Sequence, residues 1–217
     1  MSNIISRPTY ITPSLYSAWH FWDSASDDYK EKALSDFLCV LTKTKNPPTK
    51  AMQNGLDYEQ KIQAMAERVR LGIPFDENDT MPEVDKTIAR LLQNCIWQFP
   101  VSGCITLQNG TQIILNGRVD AFDPIIDTIY DLKLTSRTFS QGMYQSSIQH
   151  LIYMYCLNVP YFNYVIRNKS NVLLLDNYAN LPVEELLKSR IEHFINTLQI
   201  TYPEYFNIYQ EKWQTNI

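Results

Sequence analysis

The chain has 217 residues, 45% apolar, 12% aromatic and 19% charged, a globular balance that excludes an intrinsically disordered sequence. Six glycines exclude collagen-like and Gly/Ser-linker chains. With 19 basic against 23 acidic residues the net charge is −4, which excludes a histone-like polybasic binder but not an enzyme with a local basic groove.

The first half reads as helical. Aromatics at helical spacing predict a short helix over 13–22, and Asp27 or Asp28 caps a second helix running to about Leu41. Tandem prolines make 43–50 a loop. A longer helix is expected from about Pro48 to Arg70, ended by Gly72 and Pro74. An acidic loop, 76–82, leads to a helix over 83–97. The pattern then turns to strands. Residues 104–107 and 111–122 flank Asn109-Gly110, the strongest short hairpin signal. Asp123-Pro124 opens another turn, and 129–135 is apolar enough for a central strand. A helix over 140–157, strands at 161–167 and 172–176, a helix over 182–198 and a short last helix complete the order. That order predicts one mixed α/β domain over 1–217 with a helical N-terminal lobe.

No apolar run approaches the ~20 residues of a membrane-spanning helix, so no membrane is expected. The first residues lack a charged segment followed by an apolar one, so no signal peptide is read. Cys39, Cys95, Cys104 and Cys156 form no CxxC pair, which argues for free thiols in a reducing cytoplasm and against zinc.

The chemistry concentrates on the strands. Asp131 and Lys133 stand at i and i+2 and so share a strand face. If the chain turns around Ile125-Ile126, Asp120 falls opposite Asp131. Two converging carboxylates need compensation, which a hard divalent cation supplies. Charge inside an apolar strand is costly unless it is paired or functional. On helices, Gly55 and Glu59 lie one turn apart, as do Gln149 and Tyr153. A helical glycine costs ~1 kcal/mol against alanine, which suggests close approach by backbone or ligand at Gly55.

The ordered set Gly55-x-x-x-Glu59, Gly117-Arg-Val-Asp120, Asp131-Leu-Lys133 and Gln149-x-x-x-Tyr153 resembles the PD-(D/E)XK nuclease superfamily, in its RecB-like and lambda-exonuclease-like branch. The resemblance covers about residues 50–177. It implies a restriction-endonuclease-like core, a central mixed sheet flanked by helices, over about 47–177. A helical extension would precede it to about 46, and C-terminal helices would follow from about 178. It implies that Asp120 and Asp131 bind Mg²⁺ or Mn²⁺ with the Leu132 carbonyl, and that Glu59 completes the shell, partly through water. Lys133 would orient or activate the attacking water. Gln149 and Tyr153 would support the site and approach the nucleic-acid backbone. Cys156 stands alone after the Gln/Tyr motif, so no iron–sulfur cluster is expected.

His150 is read as structural or near DNA rather than as a ligand, and His20 as packing. No nucleophile elbow or phosphate-binding glycine loop is present. Lys43, Lys45, Lys50 and Lys61, and Ser136-Arg137-Thr138 after the catalytic strand, are candidate phosphate contacts. Tyr10, Tyr16, Trp19 and Trp22 suit core packing or a stacking wall for single strands. The expected activity is metal-dependent hydrolysis of DNA by an exonuclease of recombination or repair, and a phage-encoded enzyme fits its size. A single-strand annealing or recombination protein would be its partner. The alternatives are an endonuclease of the same superfamily, or a non-catalytic nucleic-acid- or protein-binding module of the same fold. No oligomeric state is read from the sequence.

Overall fold

Asn109-Gly110 turns the chain as its sequence predicts. Gly110 takes φ +84°, its N–H donates to the Leu107 carbonyl at 3.0 Å, and Asn109 Oδ1 accepts from Thr111 N–H at 2.9 Å. This hairpin joins two long strands of a computed structural model that describes residues 8–44, 47–75, 80–136 and 138–214. The acidic segment 76–79, Lys45 and Arg137 lie outside the described residues.

In chain order the elements are β1 (Thr9–Ile11), α1 (Pro13–Ser24), α2 (Asp27–Leu41), α3 (Lys50–Arg70), α4 (Glu83–Leu91), β2 (Ile96–Thr106), β3 (Gln112–Asp123), β4 (Thr128–Thr135), α5 (Gln149–Leu157), β5 (Tyr161–Asn168), β6 (Leu173–Ala179), α6 (Val183–Thr201) and α7 (Pro203–Lys212). The mixed sheet runs β1-β3-β4-β5-β6, with β2 also pairing β3. β4 is central, antiparallel to β3 and parallel to β5.

Two cores sandwich the sheet. The larger unites α1, α2, α5, α6 and α7 with one sheet face and fully buries Trp19, Phe37, Leu151 and Phe194. Each fully buried Leu or Phe of this kind contributes about 2–3 kcal/mol of transfer free energy. Tyr16, Trp19 and Trp22 belong to this core, so they are packing residues rather than a stacking wall. The smaller core joins α3 and α4 to the other face through Tyr58, Ile62, Ile88, Ala121, Tyr130 and Val165. Among the described residues no helix is long and apolar enough to cross a membrane.

Besides β2, which starts at Ile96 rather than Cys104, three features differ from the sequence expectation. The helix expected over 83–97 ends at Leu91, because Ile96 and Trp97 pair with Phe122 and Ala121, and sheet pairing suits aromatic and β-branched residues. The helix expected over 140–157 begins only at Gln149. Gly142 interrupts it at φ +79°, and its N–H donates to the buried Asp176 carboxylate at 3.0 Å. Arg190 then ties the irregular stretch to α6 through the Gln145 and Ser147 carbonyls.

The third difference is β1, too short to carry a strand signal. It adds parallel to β3, with Thr9 opposite Ile113. Residues 209–214 clasp it. Tyr10 N–H donates to the Trp213 carbonyl at 2.7 Å, Tyr209 Oη donates to Thr9 Oγ1 at 2.9 Å, and Trp213 Nε1 donates to the Leu41 carbonyl at 2.8 Å.

Candidate active site

Strand alternation breaks at one rung of the β2–β3 ladder. Phe99 and its partner Val119 face the larger core, whereas Trp97 and its partner Ala121 face the smaller one. In a regular strand residues two apart share a face. Gln98 and Asp120 occupy the rung between them. Gln98 has φ +52°, the only non-glycine residue inside a strand with positive φ among the described residues. Such a backbone costs of order 1–3 kcal/mol and persists only where its surroundings over-determine it.

The break sets Asp120 beside β4. The β3–β4 ladder ends at Ala121 opposite Tyr130, and just beyond it Asp120 Oδ2 accepts the Leu132 N–H at 3.0 Å, which places Asp120 beside Asp131. Asp131 is fully buried. Its Oδ1 accepts from Gln149 Nε2 at 2.5 Å. Its Oδ2 makes no directed hydrogen bond and is faced by the Lys133 ammonium in an ion pair. Lys133 Nζ also donates to Gln149 Oε1 at 3.3 Å. Gln149, the first residue of α5, therefore touches both charged groups, and its Nε2 reaches Tyr153 Oη at 3.4 Å.

Gly117 makes room for this arrangement. A Cβ added there would collide with the buried Tyr153 ring. Gly117→Ala is expected to cost about 1–3 kcal/mol of stability, the range for overpacking a core. Chemical denaturation checks it, and an unchanged midpoint would refute the close-packing argument.

Glu59 arrives from the opposite layer, half-buried on α3, and accepts a hydrogen bond from Gln98 Nε2 on Oε1. Its carboxyl is raised by burial, against the Gln98 hydrogen bond, with Asp131 pushing the same way as burial. Asp120 is pushed up to about 8, by burial first and then by Asp131, while Lys133 pulls it down. Burial opposes the charge of Lys133, but Asp131 and Asp120 outweigh it and hold its ammonium above the usual lysine range. Glu59, Asp120, Asp131 and Lys133 thus share one electrostatic neighbourhood, with three carboxylates around one lysine.

This has a consequence for stability. Asp120 binds its proton more tightly folded than unfolded, where its pKa is near 4, so its contribution declines as pH rises from about 4 to about 8. The raised Glu59 acts in the same direction. In EDTA the chain is expected to melt at lower temperature near pH 8.5 than near pH 7, above the range in which the buried, neutral His150 opposes the trend, and Asp120→Asn is expected to flatten that difference. Thermal unfolding at both pH values checks it, and a melting temperature that rises with pH would refute it.

Two cavities meet over Lys133 and Gln149. One of about 680 Å³ is lined by Ser14, Ser17, Asn116, Arg118 and Tyr153, the other of about 370 Å³ by His20, Phe21, Tyr144 and Ser147. Together they form a groove walled by α1 and floored by Lys133 and Gln149. Volumes of this order admit nucleotide-sized groups.

The outlying sequence candidates divide. Lys61 does not face the cluster. Two residues from Glu59, it points to the far side of α3, where its Nζ pairs with the buried Asp85 at 2.8 Å. Arg167 Nε stands 2.9 Å from the same carboxylate, and Tyr58 Oη donates to it at 3.2 Å. Lys50 is exposed at the start of α3, and Ser136 and Thr138 are exposed just beyond β4. Apart from its own helix, no atom of the described residues lies within 4 Å of a Cβ placed on Gly55, so the close backbone approach expected there is not found. His150 is a buried core residue stacked on Tyr178 at 4.3 Å. The sequence reading missed Gln98, Arg118 and Tyr144. Arg118 stood visible inside the Gly117–Asp120 motif, whereas nothing local marks Gln98.

Among the described residues no three His, Cys, Asp or Glu side chains stand close enough together to hold a metal ion. Asp120 Oδ2 takes the Leu132 N–H beside Asp131, and the Leu132 carbonyl follows Asp131 directly in sequence; carboxylate and carbonyl oxygens are the ligands a hard divalent cation takes.

No protein-family model and no curated protein matches the chain. Solved structures do. SSO0001 aligns over 92% of this chain and 81% of its own, with a TM-score of 0.57 at 12% identity. A candidate exonuclease from Eubacterium rectale aligns over 95% and 83%, with a TM-score of 0.50 at 11% identity. The alkaline exonuclease LHK-Exo of Laribacter hongkongensis aligns over 94% of each chain, with a TM-score of 0.46 at 11% identity. The first two likenesses are likenesses of fold. What they share with this chain is the architecture: a mixed sheet flanked by helices on both faces.

Proposed function

We propose that the chain is a divalent-metal-dependent deoxyribonuclease that hydrolyses DNA phosphodiester bonds as an exonuclease of recombination or repair. The observation that carries the reading is the meeting of Asp120, through the Leu132 N–H, with Asp131 on the central strand, with Lys133 and Gln149 beside them and a groove over the last two. Asp120, Asp131, the Leu132 carbonyl and, partly through water, Glu59 would hold Mg²⁺ or Mn²⁺. When bound, such a cation neutralises charge on the scissile phosphate and lowers the pKa of water.

The chain's own residues do the rest. Lys133 keeps its proton, and its ammonium orients the water and offsets charge as the phosphate is attacked. Gln149 fixes both Asp131 and Lys133, so neither must reorganise during the reaction. Tyr153 buttresses Gln149. Arg118 on the groove wall, with Lys50, Ser136, Arg137 and Thr138 as further candidates, would take flanking phosphates. The four free cysteines suit a reducing cytoplasm. An exonuclease leaves single strands, so a single-strand annealing or recombination protein is the expected partner.

The test is digestion of end-labelled linear duplex, closed circular and single-stranded DNA in Mg²⁺, Mn²⁺ or EDTA. Linear DNA is expected to be shortened from its ends with either metal and left intact in EDTA. A cut circle would point to the endonuclease instead, and no cleavage of any DNA with either metal would overturn the reading.

A further inference from the structure

We infer that Gln98 is the positioning residue of Glu59: a left-handed backbone inside β2 aims its amide across the sheet to fix that carboxylate at the site. The inference rests on the nuclease reading and adds a residue that none of the four motifs contains.

Three observations converge on Gln98. The ladder is intact on either side, Trp97 to Ala121 and Phe99 to Val119, so the unusual backbone is confined to one residue. Left-handed backbone favours glycine or asparagine, and a glutamine held there gains nothing locally. What it gains is distant. Its Nε2 donates to Glu59 Oε1, 39 residues away on α3. The rung is also the one that carries Asp120, so the same distortion aims one carboxylate and restrains another.

The donor's chemistry suits the task. Glu59 is half-buried near Asp131, Lys133 and Arg118, so its carboxylate has competing directions to turn. A lysine or arginine at position 98 would fix it but cancel its charge. An amide fixes it and leaves the negative charge available to a cation.

The test is a double-mutant cycle of Gln98→Gly and Glu59→Ala, read by calorimetric titration with Mn²⁺, single-turnover DNA cleavage and thermal unfolding. Glycine adopts φ +52° freely, so Gln98→Gly is expected to melt at or above the parent temperature. It is nevertheless expected to bind Mn²⁺ ~10-fold more weakly and to cleave more slowly, the size typical of groups that orient metal ligands. In the Glu59→Ala background the same change is expected to be silent. Should Gln98→Gly not fold, Gln98→Asn, which also tolerates left-handed backbone, carries the comparison. Unchanged Mn²⁺ affinity in Gln98→Gly, or an equal loss in the Glu59→Ala background, would overturn the inference while leaving an active parent nuclease. A parent chain that neither binds Mn²⁺ nor cuts DNA would overturn the nuclease reading itself, and the role of Gln98 with it.

Discussion

Asp131→Asn is expected to leave a folded chain whose metal-dependent cleavage falls by about 10³ or more. The carboxylate is fully buried between Gln149 and Lys133. Asparagine keeps its volume and an oxygen for Gln149 but removes the charge. Loss of a metal-binding charge removes several kcal/mol of transition-state stabilisation, and each 1.36 kcal/mol is a factor of ten in rate. Alanine would be the worse probe. It would strand the Gln149 amide and the Lys133 ammonium, and breaking a buried pair costs about 3–5 kcal/mol of stability. Single-turnover cleavage with matched thermal melts decides the point. A folded Asp131→Asn chain cutting within tenfold of the parent would remove Asp131 from the site.

Lys133→Ala is expected to separate chemistry from binding. Its ammonium shares the strand face of Asp131, also touches Gln149, and borders both halves of the groove. Removing it leaves Asp120 and Asp131 in place for a cation. DNA binding in Ca²⁺, which takes oxygen ligands, is expected to persist, while cleavage in Mg²⁺ falls by about 10² or more. Were the lysine only a structural partner of the buried Asp131, its loss would cost stability and leave the rate of the folded chain unmoved. An unchanged rate, or equal losses of binding and rate, would establish that bland role.

The heart of the site was legible because its geometry is local. An i, i+2 pair shares a strand face, and one tight turn around Ile125-Ile126 returns the chain along β3, so that Asp120 reaches the Leu132 N–H. Asn109-Gly110 announced its own hairpin. Lys61 was read as a phosphate contact and is not one facing the cluster: two residues along a helix is more than half a turn, which carries it to Asp85. Gln98 was not legible. Glutamine has no intrinsic taste for left-handed backbone, and its partner lies 39 residues upstream on another layer. The late start of α5 was hidden for a similar reason. Gly142 reads as an incidental helical glycine until Asp176, 34 residues on, takes its N–H.

The clasp that holds β1 carries a consequence for the order in which the molecule assembles. Tyr209 and Thr9 are 200 residues apart in sequence, whereas β2, β3 and β4 follow one another through short turns. Closing a long loop costs entropy before any contact repays it, so distant pairings tend to form late. The Asp120–Asp131 cluster is expected to condense early within its meander, and α1, the wall of the groove, to be seated last with β1. In pulsed hydrogen exchange during refolding, amides of 112–135 are expected to gain protection before Tyr10, whose N–H reaches Trp213. The reverse order would show that the far ends of this network nucleate the fold. In the expected order, each newly made molecule passes through a stage in which its charged cluster lies open on the side that α1 later walls off.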